Sequence, residues 1–315
     1  MVKATADSAV AVQASGLTKV YGSKQVLSDL NFEIRVGERC CFVGANGSGK
    51  STLLEIIMGL KVASGGRIEV LGRKPSDPWL KERRVILMDR PSFPYYAKVR
   101  EIIHLYSGFY SKVVDAQTLL QSFELDGGSY VRHLSKGQKQ RMGLLLTLLG
   151  NPQLVLLDEP SSGLDPQARL KLWQSMETRM AEDPQPTLIF ASHDLAEAER
   201  WADRIGILHH GRLIAFCSPE EHCRSVIGSR RKLTIVGKPG FDVAQWRTED
   251  VKSVALLGSE IALYTDQPER VLGKIGLAGD SVDIRIESVS VRDAFFKLTG
   301  EVPDGASTLA FQKSG

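Results

Sequence analysis

The sequence predicts an α/β protein built on a parallel sheet, followed by a small α+β domain. Three observations carry this expectation. Through residue 228, short apolar runs alternate with helix-patterned stretches. A glycine-rich turn joins the second of those runs to the first helical pattern. Near Ser225 the composition shifts, and the basic stretch Ser229–Lys232 opens a second region.

In chain order, the runs Asn31–Val36, Arg39–Val43, Arg67–Val70, Arg84–Met88, Leu154–Leu157, Thr187–Ala191, Arg204–Leu208 and Arg212–Phe216 read as strands. Helical patterns fall at Ser51–Met58, Val99–Phe109, Gly137–Leu149, Pro166–Ala181 and Leu195–Trp201. Gly and Pro punctuate the junctions, as at Val36–Gly37 and Asn151–Pro152. The second region offers strands at Leu233–Val236, Ser253–Leu257, Glu260–Tyr264 and Val282–Ile286, with helices at Pro268–Ile275 and Val291–Leu298. This predicts a main domain over residues 11–228 and a small accessory domain over 229–300. Residues 301–315 hold turn formers without a period and are expected to be disordered.

Composition removes several function classes. Forty Lys and Arg against thirty-seven Asp and Glu leave +3, too little for a nucleic-acid surface or a polybasic membrane anchor. The run Met142–Gly150 falls far short of the roughly 20 apolar residues that cross a bilayer. The amino-terminal AVAV is too short for a secretory core, so a soluble, cytoplasmic chain is expected. Four cysteines suit a reducing compartment. Cys217 and Cys223, with His222 and the pair His209–His210, match no common zinc spacing and are read as structural.

The segment Gly44-Ala-Asn-Gly-Ser-Gly-Lys-Ser51 fits the phosphate-binding pattern G-x-x-x-x-G-K-[ST] in full. Its glycines, Gly44, Gly47 and Gly49, let backbone N–H groups curl around phosphate oxygens without Cβ clashes. Lys50 brings a point charge to the β/γ-phosphates, and the Ser51 hydroxyl is a ligand for Mg²⁺. A helix opening beside Ser51 turns its positive end to the same anion. Asn46, Ser48 and Thr52 complete the candidate nucleotide-binding set. Downstream, Leu154-Val-Leu-Leu-Asp158-Glu159 is a buried-strand pattern ending in two carboxylates. Asp158 is placed to hold Mg²⁺ through water, and Glu159 to polarise the attacking water as general base.

Leu134-Ser-Lys-Gly-Gln138, 20 residues before Asp158, narrows the subclass. It resembles the signature motif of ATP-binding-cassette (ABC) ATPases, LSGGQ in its commonest form, with Lys136 in place of the first glycine. That resemblance implies that Ser135 and Gly137 meet the γ-phosphate of ATP held by a second subunit, with Gln138 beside them in the nucleotide-binding set. A hydroxyl, a bare N–H and a helix N-terminus suit that task; an ordinary N-capped helix is the alternative. Ser162-Gly-Leu-Asp165 looks like the family's D-loop, and Ser192-His193-Asp194 like the switch whose His193 contacts the γ-phosphate. Tyr21 matches the aromatic that stacks on adenine; its other reading is an edge-strand tyrosine. The resemblance covers about residues 11–228.

One position departs. Asp89, in Val85-Ile-Leu-Met-Asp89-Arg-Pro91, stands where the family's Q-loop usually carries glutamine. Aspartate still offers oxygen to a metal, but adds charge and shortens the reach; a solvated strand end is the alternative. At the far end, Ser288–Gly300 is similar to the closing element of exporter-type ABC ATPases, the group that includes daunorubicin-resistance-like subunits.

The resemblance implies an ABC P-loop core with an antiparallel β subdomain and a helical subdomain near residues 89–150. It implies ATP and Mg²⁺ as cofactors, a second copy of the chain as dimer partner, and a separate transmembrane permease, driven outward, at the inner face of the membrane. The loop around Phe93–Tyr96 is a candidate seat for that permease. The alternative is a soluble ABC ATPase with a regulatory or nucleic-acid-linked role. Only 85 residues and no heptads separate Lys50 from Ser135, which argues against the coiled-coil DNA-repair type.

Overall fold

The computed structural model describes residues 9–89, 91–181, 185–229, 231–236, 249–257, 260–277 and 283–300. The expected tail, 301–315, lies outside them. Contacts group the chain into two units, Met1–Ser192 with Leu208–Leu213, and His193–Ile207 with Ile214–Gly315. Among the described residues, no helix is long and apolar enough to cross a membrane.

The first unit opens with two long strands, β1 (Val10–Tyr21) and β2 (Lys24–Arg35), then β3 (Arg39–Val43), α1 (Lys50–Met58) and β4 (Gly65–Val70). An antiparallel sheet of order β2-β1-β4 results. β1 had no counterpart among the sequence-based strands, and β2 starts seven residues before the expected Asn31. Register shifts between Ala14 and Leu17 and between Leu17 and Val20 explain this. Each shift flips the side-chain alternation that a period-two reading relies on.

The unit continues with β5 (Arg84–Leu87), α2 (Val99–Ser107), α3 (Ala116–Ser122), α4 (Lys136–Leu148), β6 (Leu154–Asp158), α5 (Pro166–Met180) and β7 (Thr187–Ser192). Parallel pairing joins β5 to β6, β6 to β7 and β7 to β3. β3 and β6 are almost wholly buried, as unbroken apolar runs in a parallel sheet should be. α1 buries Leu53, Leu54, Ile56 and Ile57, each worth about 1.5–3 kcal/mol of transfer free energy. It stops at Gly59, whose N–H bonds back to the last turn. The buried Arg84 donates to the carbonyl of Ile57 at 2.8 Å and to that of Pro75, tying β5 to the end of α1. α3, short and capped by Asp115, was not expected from the pattern.

The second unit carries α6 (Leu195–Trp201), most of β8 (Arg204–His209) and β9 (Arg212–Cys217), and α7 (Pro219–His222) with a π turn at Cys223–Ile227. β10 (Arg231–Val236), β11 (Ser253–Leu257), β12 (Glu260–Thr265), α8 (Pro268–Leu277), β13 (Asp283–Ser288) and α9 (Val291–Thr299) follow. The sheet is antiparallel, of order β11-β12-β10-β13. Alternation along β12 divides its two faces. Ile261 and Leu263 join Leu233, Ile235, Val254 and Val271 of α8 in one cluster. Ala262 and Tyr264 join Ile227, Ala255, Val289 and Ala294 of α9 in the other. The domain boundary expected at 228/229 thus falls within the sequence span of one packed cluster, with Ile227 on one side of it in sequence and its neighbours on the other.

Asp293 organises the second cluster. It accepts hydrogen bonds from the Tyr264 hydroxyl at 2.9 Å and from Ser290 N and Oγ at 2.9 and 2.8 Å, and Lys232 Nζ lies 3.3 Å away. Burial, then the Asp293 charge, pushes the Tyr264 phenol up, so it remains a donor. Asp293→Ala should therefore destabilise the protein by about 2–4 kcal/mol, from a lost cap and a buried hydroxyl deprived of its acceptor. Tyr264→Phe should cost about 1 kcal/mol. Calorimetric unfolding of both variants checks the ranking; equal losses would show that the hydroxyl bond, and not the cap, sets the cost.

Candidate functional site

The site is set by strand register. In the sheet, Ala191 of β7 is the partner of Phe42 in β3 on one side and of Asp158 in β6 on the other. The glycine-rich turn after Val43 and the acidic pair Asp158–Glu159 therefore leave the sheet at the same level. That is the carboxyl edge of a parallel sheet, where open α/β folds place their ligands.

Two glycines are required by contact geometry. A Cβ on Gly44 would collide with the carbonyl of Leu208 and lie 2.7 Å from Ser48 Oγ. Gly49 has φ +110°, and a Cβ there would lie 2.6 Å from Leu27 Cδ2. Gly49 is also the N-cap of α1, so no side chain caps that helix, and its first turn holds no acidic residue. Asn46 and Gly47 are exposed at the tip of the turn, Ser51 is exposed, Thr52 half-buried, and Ser48 buried with its hydroxyl unpaired. A glycine-rich turn of backbone donors at a helix N-terminus is the arrangement that takes up an anion.

Lys50 is buried and folds back over this turn. Its Nζ donates to the carbonyl of Gly44 at 2.8 Å and to that of Ala45 at 3.4 Å, and stands 3.4 Å from Glu159 Oε1. Asp158 is buried, with Oδ1 unpaired. Burial raises its carboxyl above the ordinary aspartate value; the Ser51 hydroxyl, donating to it, opposes that, and the charges of Glu159 and Asp89 add to it. Ser51, Asp158, Glu159 and Lys50 thus meet at one place, with Asp89 near enough to be felt. Glu159 itself has φ +49°, an uncommon backbone for a non-glycine residue. Its N–H donates to Ala191 O at 3.1 Å and its carbonyl accepts from Ser162 N at 3.0 Å, which hold it there.

The other candidates lie on separate elements. Ser135 caps α4, accepting from Gln138 N at 3.2 Å, while Gln138 Oε1 accepts from Ser135 N at 2.9 Å. Ser135 Oγ serves there as acceptor, which leaves its O–H to donate outward. A Cβ on Gly137 would approach Ala168 at 3.2 Å, so this position favours glycine by close packing. Asp165 caps α5 by accepting from Ala168 N at 2.9 Å. His193, half-buried, opens the second unit; beside it Asp194 caps α6. Tyr21, at the end of β1, is 40% exposed. Lys19 and Lys61 place their Nζ atoms 4.8 and 5.2 Å from its ring centroid. Lys61, held by Glu55 at 2.7 Å, had no signal in the sequence, because forty residues separate it from Tyr21.

Among the described residues, no group of three or more His, Cys, Asp or Glu converges as a self-sufficient metal site. Mg²⁺ needs less, since it keeps several waters and takes one or two protein oxygens beside a phosphate. The unpaired Asp158 Oδ1 beside the Ser51 hydroxyl fits that requirement.

The ABC transporter family profile matches residues 27–162. The chain is 31% identical over 302 residues to the Nod factor export ATP-binding protein I of Rhizobium johnstonii, covering 93% of this chain and 96% of that protein. The protein of the same name from Rhizobium meliloti is 30% identical over 301 residues, covering 92% of this chain and 88% of its own. Among solved structures, an ATP-binding subunit of an ABC transporter superposes with TM-score 0.61 at 29% identity, over 68% of this chain and 92% of that one. A dimeric ATP-binding cassette bound to ADP and phosphate gives TM-score 0.58 at 24% identity, over 66% of this chain and 98% of that one, a likeness of fold.

The raised Asp158 value carries a testable consequence. The native state holds that proton more tightly than the unfolded chain does. Stability from this group is greatest below the ordinary aspartate range and is lost as pH rises through the native value. Asp158→Asn should remove the penalty at neutral pH and raise the melting midpoint of the nucleotide-free protein by roughly 2–4 °C. The same variant should lose the further stabilisation that ATP with magnesium supplies. Scanning calorimetry with and without ligand checks both; a lower midpoint in the nucleotide-free variant would contradict the sign.

Proposed function

Since the chain belongs to the ABC transporter family, as an ATP-hydrolysing subunit that powers a separate transmembrane permease, we propose that two copies close on two ATP molecules. Each ATP would be held by the glycine-rich turn of one copy and the Ser135 segment of the other. The observation that carries this reading is the meeting of Lys50, Ser51, Asp158 and Glu159 at one level of the sheet. That edge supplies the groups one copy needs, while the Ser135 hydroxyl and the N-terminus of α4 supply a second anion-binding surface.

In this reading, the backbone N–H groups of Gly47, Ser48 and Gly49 cradle the phosphates, with Asn46 and Thr52 beside them, and Lys50 neutralises phosphate charge. Drawing Lys50 toward phosphate weakens its 3.4 Å pairing with Glu159. Glu159 would then accept a proton from the attacking water. Ser51 and Asp158 would hold Mg²⁺, which supplies charge neutralisation at the phosphates when bound; Asp89 contributes charge nearby. His193 would act at the γ-phosphate, and Tyr21 would stack on adenine with Lys19 and Lys61 at its ring. Residues 11–228 would form the nucleotide-binding domain, and 229–300 an accessory domain.

Transport outward is supported by the relatives, which are Nod factor export ATP-binding proteins. It is supported also by the ending Leu298-Thr-Gly300. The permease would seat against the helical subdomain, residues 89–150, where Tyr95 and Tyr96 are exposed and lie under Lys139 and Arg132. Aromatic anchors of this kind dominate interfaces. The chain would then work at the inner face of the membrane, held there by the permease.

Glu159→Gln should lower magnesium-dependent ATP turnover by about 10²–10⁴-fold while leaving ATP bound, the usual worth of a general base. Turnover at the wild-type rate would remove Glu159 from that role. In the same variant ATP should accumulate the dimer, and adding Ser135→Arg should prevent it by placing bulk at the shared phosphate contact. Light scattering at saturating ATP and magnesium decides this: a monomeric Glu159→Gln chain defeats the shared-site reading.

A further inference from the structure

The second unit contains a cavity of about 530 Å³, lined by none of the candidate site residues named above. It lies where α6, α7, the π turn and the end of β12 come together, and its walls bear Glu199, Glu220, Arg224, Ser229 and Asp266. We propose that this cavity is a binding site for a small organic cation, an alkyl- or arylammonium. Its volume falls in the range of small-molecule sites.

Two independent observations point to a ligand. Ser229 is only 3% exposed and its hydroxyl has no hydrogen-bond partner, although it lines the cavity. Buried hydroxyls in folded proteins are nearly always paired, so this one is a binding group awaiting its partner. The lining is also electrostatically one-sided, with three carboxylates against one guanidinium. Asp266 is already paired with Lys252 at 2.7 Å, which leaves Glu199 and Glu220 to meet a cation. Glu199 is held in place by a hydrogen bond from Val291 N, and burial raises its carboxyl above the usual glutamate range. A neighbouring cation would relieve that. Cys223, with its thiol pushed up to about 12 by burial, and Val289 make the floor apolar, which suits the carbon body of an amine.

Other ligand classes fit less well. An anion would face the excess of carboxylates. A bare metal ion needs convergent ligands, and among the described residues no three such groups converge. The carboxylates are spread around a volume, as recognition of a molecule requires.

Titration calorimetry on the full-length protein tests the proposal with two matched sets: benzylamine, benzyl alcohol and benzoate, and tryptamine, indole-3-ethanol and indole-3-acetate. At least one amine should bind about tenfold or more tightly than its neutral and anionic counterparts, as expected for a charge-assisted contact. Glu199→Gln should weaken that amine by about tenfold, and Ser229→Ala by about threefold. Glu220→Gln, an exposed change that leaves folding intact, should weaken it measurably. No amine outbinding its neutral partner, a preference for either anion, or an amine affinity unchanged in Glu220→Gln and Ser229→Ala would overturn the assignment.

Discussion

The candidate phosphate edge depends on one backbone constraint, the parallel pairing of three strands through Ala191. Because Ala191 is level with both Phe42 and Asp158, the glycine-rich turn and the acidic pair emerge side by side. A slip of one residue in either ladder would turn Asp158 to the opposite face of the sheet. The unusual backbone of Glu159 follows from the same constraint, since its N–H is tied to the carbonyl of Ala191 while its own carbonyl begins the next turn.

Charge then works within that frame. Asp158 and Glu159 are brought together, with Asp89 close enough to add its field, and Lys50 is the buried cation that offsets them. Lys50 places its donors on the carbonyls of Gly44 and Ala45 and beside Glu159. The ammonium thus closes the turn over itself and leaves it shaped for an anion. Such preorganisation avoids rebuilding the site during the reaction.

The second unit is held differently. Its sheet buries an apolar cluster on each face, and one of these is centred on a polar pair, Tyr264 and Asp293. That pair also caps α9 through Ser290, so helix position and cluster packing are coupled. The π turn at Cys223–Ile227 belongs to the same cluster, which ties residues before the expected boundary at 228/229 to those after it.

By itself the sequence determined the α/β alternation, most strand and helix positions, and the candidate phosphate, magnesium and base residues. It could do so because these signals are local: a fixed spacing of glycines and lysine, an apolar run ended by Asp158–Glu159, a serine that caps its own helix. β1 was hidden by its bulges and α3 by its brevity, both failures of a simple period. Only the tertiary structure decided which groups meet. Lys61 reaches Tyr21 across forty residues, Ala191 levels two distant loops, and Ile227 packs with residues beyond the apparent boundary. Contacts of that kind depend on register and three-dimensional packing, which leave no periodic trace along the chain.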